Sequence, residues 1–229
     1  MKKILSIAAL FAAGTLLLAQ NVILRETTHG LAKDKVNDMK FSSYVEPGPS
    51  GARQVWDLSG MEATKDFRGM VGASAATEKG AAFPSANVVL NEQGNQFYFC
   101  QEGRELNAYG LATPSGKVLM KYHSPYRKMV YPFRYGDEFS GNYEGTYFLS
   151  NGEAPIVGEY HVAADGYGKL ILPEGVVVDD ALRVVSTRSY DILLGSTPQS
   201  YTIVTYRWYN KTERFPLAVL IETRSTACG

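Results

Sequence analysis

Short runs in which apolar and polar residues alternate make up most of the chain after residue 20, and Gly, Pro, Asn and Asp interrupt them. Alternation with a period of two is typical of a β-strand with one buried and one exposed face. The clearest run is Ser200–Tyr209, followed by a polar turn at Asn210–Glu213 and a second extended run at Leu217–Thr223. These three segments predict a β-hairpin.

A second hairpin is predicted further upstream. Its turn would be Asp165-Gly166, because this dipeptide favours the positive φ angles of tight turns. The runs on either side, Ile156–Val162 and Tyr167–Leu172, would then be its two strands.

The segment that follows is also predicted to be extended. A turn is expected at Pro173–Gly175, followed by strand-like runs at Val176–Val178 and Leu182–Leu194. Asp179 and Asp180 lie between these runs, where we expect a loop or a β-bulge.

Only residues 61–82 depart from this pattern, since Gly, Ala, Thr and charged residues dominate there. We expect a long loop or short helix, and a domain boundary only at this place. No period of twenty to fifty residues repeats, which disfavours solenoids and propellers. Strands with one apolar and one polar face bury the apolar face when two sheets pack against each other. We therefore predict an all-β fold, an antiparallel β-sandwich of jelly-roll-like or related type, in one domain over 20–229.

The first nineteen residues form a predicted signal peptide. Lys2 and Lys3 precede an apolar run over 4–18, and Ala19 is a small residue at a plausible cleavage point. The run is shorter than the roughly 20 apolar residues that span a bilayer. No cysteine lies near the cut, so we do not expect a lipid anchor. No later stretch is long and apolar enough to cross a membrane. We expect an exported domain that is periplasmic, on the cell surface or extracellular.

Net charge argues against a nucleic-acid partner. The chain has 23 basic and 23 acidic side chains, and loss of the leader removes two lysines. Phosphate binding depends on a basic excess or a concentrated basic face, and the balanced charge indicates neither.

Cysteines and histidines are few. Cys100 and Cys228 either form one disulfide or remain a buried thiol and a free thiol near the chain end, and both alternatives stay open. His29, His123 and His161 lack the short spacings of metal ligands. No metal site and no cofactor are predicted.

No catalytic constellation is apparent. Glu159 and His161 would share a strand face, either as an acid and base pair or as a solvated surface. Asp137 and Glu138 are neighbours that would point in opposite directions. The chain has no Gly-x-Ser-x-Gly elbow, and Cys100 follows Phe-Tyr-Phe in what resembles a core strand. We predict no catalytic residues.

Aromatic and basic residues are concentrated over 122–147. Exposed rings there would form a platform for a sugar ring or a partner protein, and the candidate binding residues are Tyr126, Tyr131, Phe133 and Tyr135. The alternative is packing, because about half of the residues on alternating strands face the core.

Four ordered motifs carry a family resemblance. They are Tyr44–Ser59, Phe83–Asn87, Tyr131–Ser140, and Asp165–Pro173 together with Leu182-Arg-Val184. In this order they resemble a group of uncharacterised secreted proteins of the Bacteroidetes, many of which carry a C-terminal sorting domain for type IX secretion. The resemblance implies export and a β-rich extracytoplasmic domain, with no catalytic residues. The sorting domain is absent from this sequence, so we expect the periplasm or another surface route.

The function expected from these observations is noncatalytic binding, or a structural role, at the cell envelope, with a glycan or an envelope protein as partner. The alternative is a secreted hydrolase acting on a glycan or another envelope polymer, which rests on compartment and fold analogy. A third possibility is a subunit of a surface assembly, whose sign would be a long unpaired edge strand. No oligomeric state follows from the sequence.

Overall fold

The chain folds almost entirely into strands that pair antiparallel with their neighbours. The computed structural model describes residues 22–227 except 116, 151, 195 and 196, so the predicted signal peptide and Cys228 lie outside it. The strands of the described residues are β1 (Val36–Ser42), β2 (Gly51–Asp57), β3 (Ala63–Ala73), β4 (Val88–Glu92), β5 (Asn95–Glu102), β6 (Glu105–Ala112), β7 (Val118–Val130), β8 (Glu138–Leu149), β9 (Gly152–Ile171), β10 (Val177–Leu194), β11 (Thr197–Tyr209) and β12 (Ala218–Ala227).

Helices are short. One turn of α-helix, α1, spans Glu26–His29, and three 3₁₀ turns span Ser74–Ala76, Gly80–Ala82 and Pro173–Gly175. No helix among the described residues combines the length and apolar character that membrane crossing requires.

All the described strands belong to one sheet. Its order is β1-β3-β4-β5-β6-β7-β8-β9-β10-β11-β12, and each neighbouring pair is antiparallel. The exception is β2, which runs parallel to the last part of β9, from Gly51 opposite Gly166 to Asp57 opposite Ile171. The earlier part of β9 pairs with β8. One edge of β9 therefore changes partner partway along the strand.

The sheet curls so that one face becomes concave. Its main core joins residues of β3 to β6 with residues of β9 to β11, and strands so far apart in the order meet only if the sheet bends over itself. Burial of these side chains supplies the main driving force for this curl. The core residues are Val22, Leu24, Val71, Val88, Phe99, Leu106, Ala108, Met129, Tyr131, Phe133, Val162, Ala164, Leu182, Val184 and Tyr209.

Smaller clusters lie on either side of this core. On the convex face, Trp56 and Leu58 of the segment around β2 cover Leu170, Trp208 and Leu220. Another convex cluster packs Phe83 against β4 to β6. On the concave face, the cluster at the other end of the strands is rich in tyrosine, and its buried members are Tyr122, Tyr143, Ile156, Tyr190 and Ile192.

The all-β class and the hairpin near the C-terminus are confirmed, since Trp208 of β11 lies opposite Ala218 of β12. Two separate sheets are not confirmed, because the strands form one curled sheet. The expected bulge after Val178 is present.

The predicted hairpin at Asp165-Gly166 is wrong, because β9 runs through both residues without a turn. Gly166 and Gly168 instead allow β2 to approach β9 closely. A Cβ at Gly168 would lie 2.0 Å from the carbonyl oxygen of Gln54, and one at Gly166 would lie 2.8 Å from Cζ2 of Trp56. Tertiary pairing with β2 therefore overrides the local turn preference.

Half of the weakly patterned segment 61–82 is extended, where a long loop or short helix was expected. Residues 63–73 form β3, which pairs with β1 on one side and β4 on the other. Irregular structure is confined to the 3₁₀ turns that follow. Hydrogen bonds from two neighbours hold this strand although its own residues alternate poorly.

Candidate functional site

Arg188 lies on the concave face of β10, and tyrosine side chains surround its guanidinium. Nη1 donates a 3.2 Å hydrogen bond to the hydroxyl oxygen of Tyr122. The guanidinium carbon lies 5.1 Å from the ring centre of Tyr126 and 5.5 Å from that of Tyr190, within the range of cation–π attraction. We define the Arg188 cluster as Arg188, Tyr122, Tyr126, Tyr143, Tyr160 and Tyr190.

The rings of this cluster contact one another at steep angles. Those of Tyr122 and Tyr143 are 5.4 Å apart and 87° inclined. Tyr126 lies 5.6 Å from Tyr143 and 6.1 Å from Tyr160. Such arrangements add about 0.5–1.5 kcal/mol to the stability that area burial supplies. Pairing of β7, β8 and β9 brings the rings together.

Glycines on β8 and β9 make room for the rings. A Cβ at Gly158 would lie 2.5 Å from Cζ of Tyr143. A Cβ at Gly141 would lie 2.5 Å from the hydroxyl oxygen of Tyr160. At Gly158 the new Cβ would also lie 2.5 Å from the carbonyl oxygen of Ser189, so the packing of the cluster requires glycine there, whereas at Gly141 the Tyr160 ring would have to shift.

Arg188 carries the charge of its cluster. Burial raises the pKa of Tyr122 to about 12, although the charge of Arg188 opposes this. Burial also raises the pKa of Tyr143 and of Tyr190 above the ordinary value. These phenols are neutral at physiological pH. Within the described part of the chain, no carboxylate lies within ion-pair distance of Arg188, and the Tyr143 hydroxyl is buried without a hydrogen-bond partner.

Two further cations lie on the concave face beside this cluster. Lys128 of β7 places Nζ 5.8 Å from the ring centre of Phe99. Arg207 of β11 donates a 3.0 Å hydrogen bond to Oγ of Ser186. We call Lys128, Arg188 and Arg207 the cationic trio. Each of the three is partly exposed, so water reaches them.

The members of the trio are close enough to affect one another. Burial lowers the pKa of Lys128 well below its ordinary value, and the charges of Arg207 and Arg188 lower it further, against the attraction of Glu92. Burial raises the pKa of Glu92, which Lys128 and Arg207 oppose. The site therefore combines the charges of two arginines with one carboxylate and with a lysine whose protonated form is disfavoured by burial and by both arginines.

Another arginine of β10 has a different environment. Arg183 is 1% exposed and lies on the convex face. Nε and Nη2 donate hydrogen bonds of 2.9 and 2.8 Å to the two carboxylate oxygens of Asp165. Nη1 donates to the carbonyl oxygens of Pro47 and Gly48, at 2.7 and 2.9 Å. The guanidinium carbon lies 5.2 Å from the ring centre of Trp56.

Two of the four sequence motifs defined above meet at this arginine. Pro47, Gly48 and Trp56 belong to Tyr44–Ser59, Asp165 opens the motif Asp165–Pro173, and Arg183 is the centre of Leu182-Arg-Val184. We call Arg183, Asp165, Trp56 and the carbonyls of Pro47 and Gly48 the Arg183 clasp. The clasp fastens β2 and its preceding turn to β9 and β10, which is a structural role.

The four candidate binding residues do not form one surface. Tyr126 belongs to the Arg188 cluster and is partly exposed. Tyr131 and Phe133 are buried in the main core. Tyr131 donates a 3.1 Å hydrogen bond to the carbonyl oxygen of His29. Tyr135 is exposed and packs its ring edge against Tyr167.

The histidine and carboxylate pairs are isolated on the convex face. His161 lies 3.3 Å from Glu138 across β8 and β9, rather than pairing with Glu159. His123 lies 3.2 Å from Glu144. All four side chains are more than half exposed. No group of three His, Cys, Asp or Glu residues suited to a metal ion occurs in the described ranges.

Cys100 is half-buried in β5. Burial raises the pKa of its thiol, and the charge of Glu102 raises it further. A thiol of this kind is protonated at neutral pH and is a poor nucleophile. Its pairing with Cys228 stays a prediction, since Cys228 lies outside the described residues.

Sequence reasoning missed the cationic trio as a site. Lys128 lies within the aromatic and basic stretch 122–147, but Arg188 and Arg207 lie far from it in sequence. Tyrosines and glycines placed on adjacent strands are the one local signal that points to the cluster. The chain matches no protein-family model, curated protein or solved structure.

Proposed function

We propose that the chain is an exported, noncatalytic binding protein whose ligand binds on the concave face at the Arg188 cluster. In this proposal the two halves of the curled sheet face each other as the layers of a β-sandwich do. The apolar leader over 1–19 supports export to the periplasm or beyond, and the partly exposed rings support an interaction with a ligand.

The observation that carries the proposal is the unpaired charge of Arg188 among neutral tyrosines. Arg188 is only partly exposed, and partial removal of a charge from water without an opposite charge nearby raises the free energy of the folded state. Natural binding sites combine aromatic walls with a few fixed polar groups, and this cluster has that composition.

The concave position favours a small molecule, or the end of a glycan chain, over a folded protein. A sugar or another ring would stack on the partly exposed faces of Tyr126 and Tyr160. A hydrolase receives less support, because the pairs formed by His123 and His161 are solvated and separate.

A neutral aromatic probe, N-phenyl-1-naphthylamine, tests the binding function. We expect saturable fluorescence enhancement at one site per chain. In the Tyr126→Leu variant the affinity should fall about fivefold, because the ring contact of roughly 1 kcal/mol is lost. Tyr135→Leu is the matched control, since Tyr135 lies outside the cluster. Absence of saturable binding, or equal losses in the two variants, contradicts the proposal.

A further inference from the structure

We infer that the ligand is an amphiphilic acid, whose anionic group is held by Lys128, Arg188 and Arg207 and whose apolar or aromatic body lies on the tyrosines. This inference rests on the proposed binding function and adds the chemical class of the ligand. The anionic group is a carboxylate or a phosphate monoester.

The concave site has an excess of positive charge. Basic and acidic side chains are equal in number over the whole chain. At the concave site, by contrast, Arg188 and Arg207 form no ion pair among the described residues, and Glu92 is the one described carboxylate that acts on Lys128. An excess of positive charge on one face raises the local concentration of anions.

Arg188 and Arg207 have unused hydrogen-bonding capacity. No ion pair of the described residues includes a member of the trio. Arg188 donates to Tyr122 and Arg207 to Ser186, both of them neutral hydroxyls. An arginine has five N–H donors, so each retains donors for a bidentate bond to a carboxylate or phosphate.

The environment of Arg188 differs from that of Arg183. Its guanidinium also lies beside aromatic rings, but Asp165 neutralises it. The fold thus supplies a carboxylate where an arginine has a structural role. At Arg188 the same strand supplies rings and no carboxylate, which leaves the opposite charge to a bound molecule.

Apolar side chains on the concave face could contact the apolar part of the ligand. Partly buried aromatic and aliphatic side chains continue from the Arg188 cluster along the concave face to the main core; they are Leu90, Phe97, Tyr126, Phe139 and Tyr160. Their exposed surface would be covered by an apolar body attached to the anionic group.

A matched pair of probes tests the inference. 1-Anilinonaphthalene-8-sulfonate has the ring system of N-phenyl-1-naphthylamine with one sulfonate added. We expect the wild-type protein to bind the sulfonate about tenfold more tightly, since hydrogen bonds to a charged group are stronger than those between neutral groups. Equal affinities would overturn the anion part of the inference. Failure of both probes to bind would instead overturn the proposed function.

Charge-removing variants locate the anion. Lys128→Met and Arg207→Met keep an apolar stem and should each lower the affinity for the sulfonate several-fold, with the affinity for the neutral probe unchanged. Lys121→Met is the control, because Lys121 is an exposed lysine of the same strand. Circular dichroism confirms that each variant is folded. If the Lys128 and Arg207 variants lose affinity for both probes equally, or if Lys121→Met loses as much affinity for the sulfonate as they do, the trio does not hold the anion.

Displacement of the bound sulfonate probe identifies the head group and tests the apolar body. Dodecanoate and dodecyl phosphate are the two competitors. The competitor that binds more tightly shows whether the anionic group of the ligand is a carboxylate or a phosphate monoester. We expect inorganic phosphate to need at least about a hundredfold higher concentration, because it buries no hydrocarbon. If inorganic phosphate competes as well as dodecyl phosphate, the ligand is a simple anion and the inference is wrong.

Discussion

Two arginines of β10, five residues apart, face opposite sides of the sheet and have opposite electrostatic environments. Arg183 is enclosed by the Arg183 clasp, where a carboxylate and two carbonyl oxygens accept its hydrogen bonds. Arg188 is enclosed by tyrosines and no carboxylate pairs with it among the described residues.

The difference teaches how to separate a structural cation from one that is available to a ligand. A buried cation with its counter-charge is satisfied by the fold, and removing either partner leaves an uncompensated charge. A cation surrounded only by neutral rings is stabilised when an anion binds beside it. Both arginines contact aromatic faces, so aromatic contact alone does not distinguish the two roles.

The largest effect is expected from breaking the clasp. Asp165→Asn removes the charge that neutralises Arg183, and the free energy of unfolding should fall by about 3–5 kcal/mol. Denaturant unfolding followed by tryptophan fluorescence measures it, because Trp56 lies in the clasp. Asp179→Asn, which breaks the exposed pair with Lys169, is the control and should cost less than about 1 kcal/mol. A similar small cost for Asp165→Asn would show that the clasp does not hold the fold together.

The next effect concerns the space for the Arg188 cluster. Gly158→Ala places a methyl group against the ring of Tyr143, and we expect a loss of about 1–3 kcal/mol in unfolding free energy from overpacking. Gly72→Ala is a suitable control, since its new Cβ would make only an ordinary contact of 3.6 Å with Val89. Thermal unfolding of both variants measures the difference, and equal stabilities would contradict the packing of the cluster.

A third prediction uses the lowered pKa of Lys128. Between that pKa and its ordinary value of 10.5, the unfolded chain holds a proton that the folded chain has released. Rising pH therefore stabilises the folded state there, by less than about 1.4 kcal/mol per pH unit. Arg188, Arg207 and Glu92 are the charged groups that face Lys128.

The measurement is denaturant unfolding of the wild-type protein and of Lys128→Met at several pH values between 7 and about 9, below the titration of ordinary tyrosines near 10. The difference in unfolding free energy between the two proteins should shift with pH in favour of the wild type. A difference that does not depend on pH contradicts the prediction.

The smallest effect on stability is expected at Arg188 itself. Arg188→Met removes an uncompensated charge and keeps an apolar stem among the rings, so the unfolding free energy should change by less than about 1 kcal/mol. Arg183→Met, the same substitution in the clasp, should cost several times more because Asp165 loses its partner. Denaturant unfolding compares the two variants directly, and equal losses would remove the distinction between the two arginines.

The strands near the C-terminus illustrate what local pattern can predict. Residues 200–209 and 217–223 alternate clearly and have a polar turn between them, and the structure contains that hairpin. Asp165-Gly166 shows the opposite case. Its turn preference is local, whereas the pairing of β2 with β9 and the Arg183 clasp are long-range and extend the chain there.

The candidate site was less predictable than the fold. Tyr126 was recognised in a region rich in aromatic residues, but Tyr131 and Phe133 of the same region are buried in the main core. Strand alternation decides which side chains share a face, yet bulges in β7 shift that alternation. The curl of the sheet then decides which of the two faces is enclosed.

Local sequence pattern is sufficient to predict the all-β class, because alternation and turn residues act over a few neighbouring positions. The motifs that meet in the Arg183 clasp are also visible in the sequence. The single curled sheet, and the presence of Lys128, Arg188 and Arg207 on its concave face, follow from long-range contacts. Side chains from β7, β10 and β11 become neighbours through burial of a common core, and no local pattern encodes that approach.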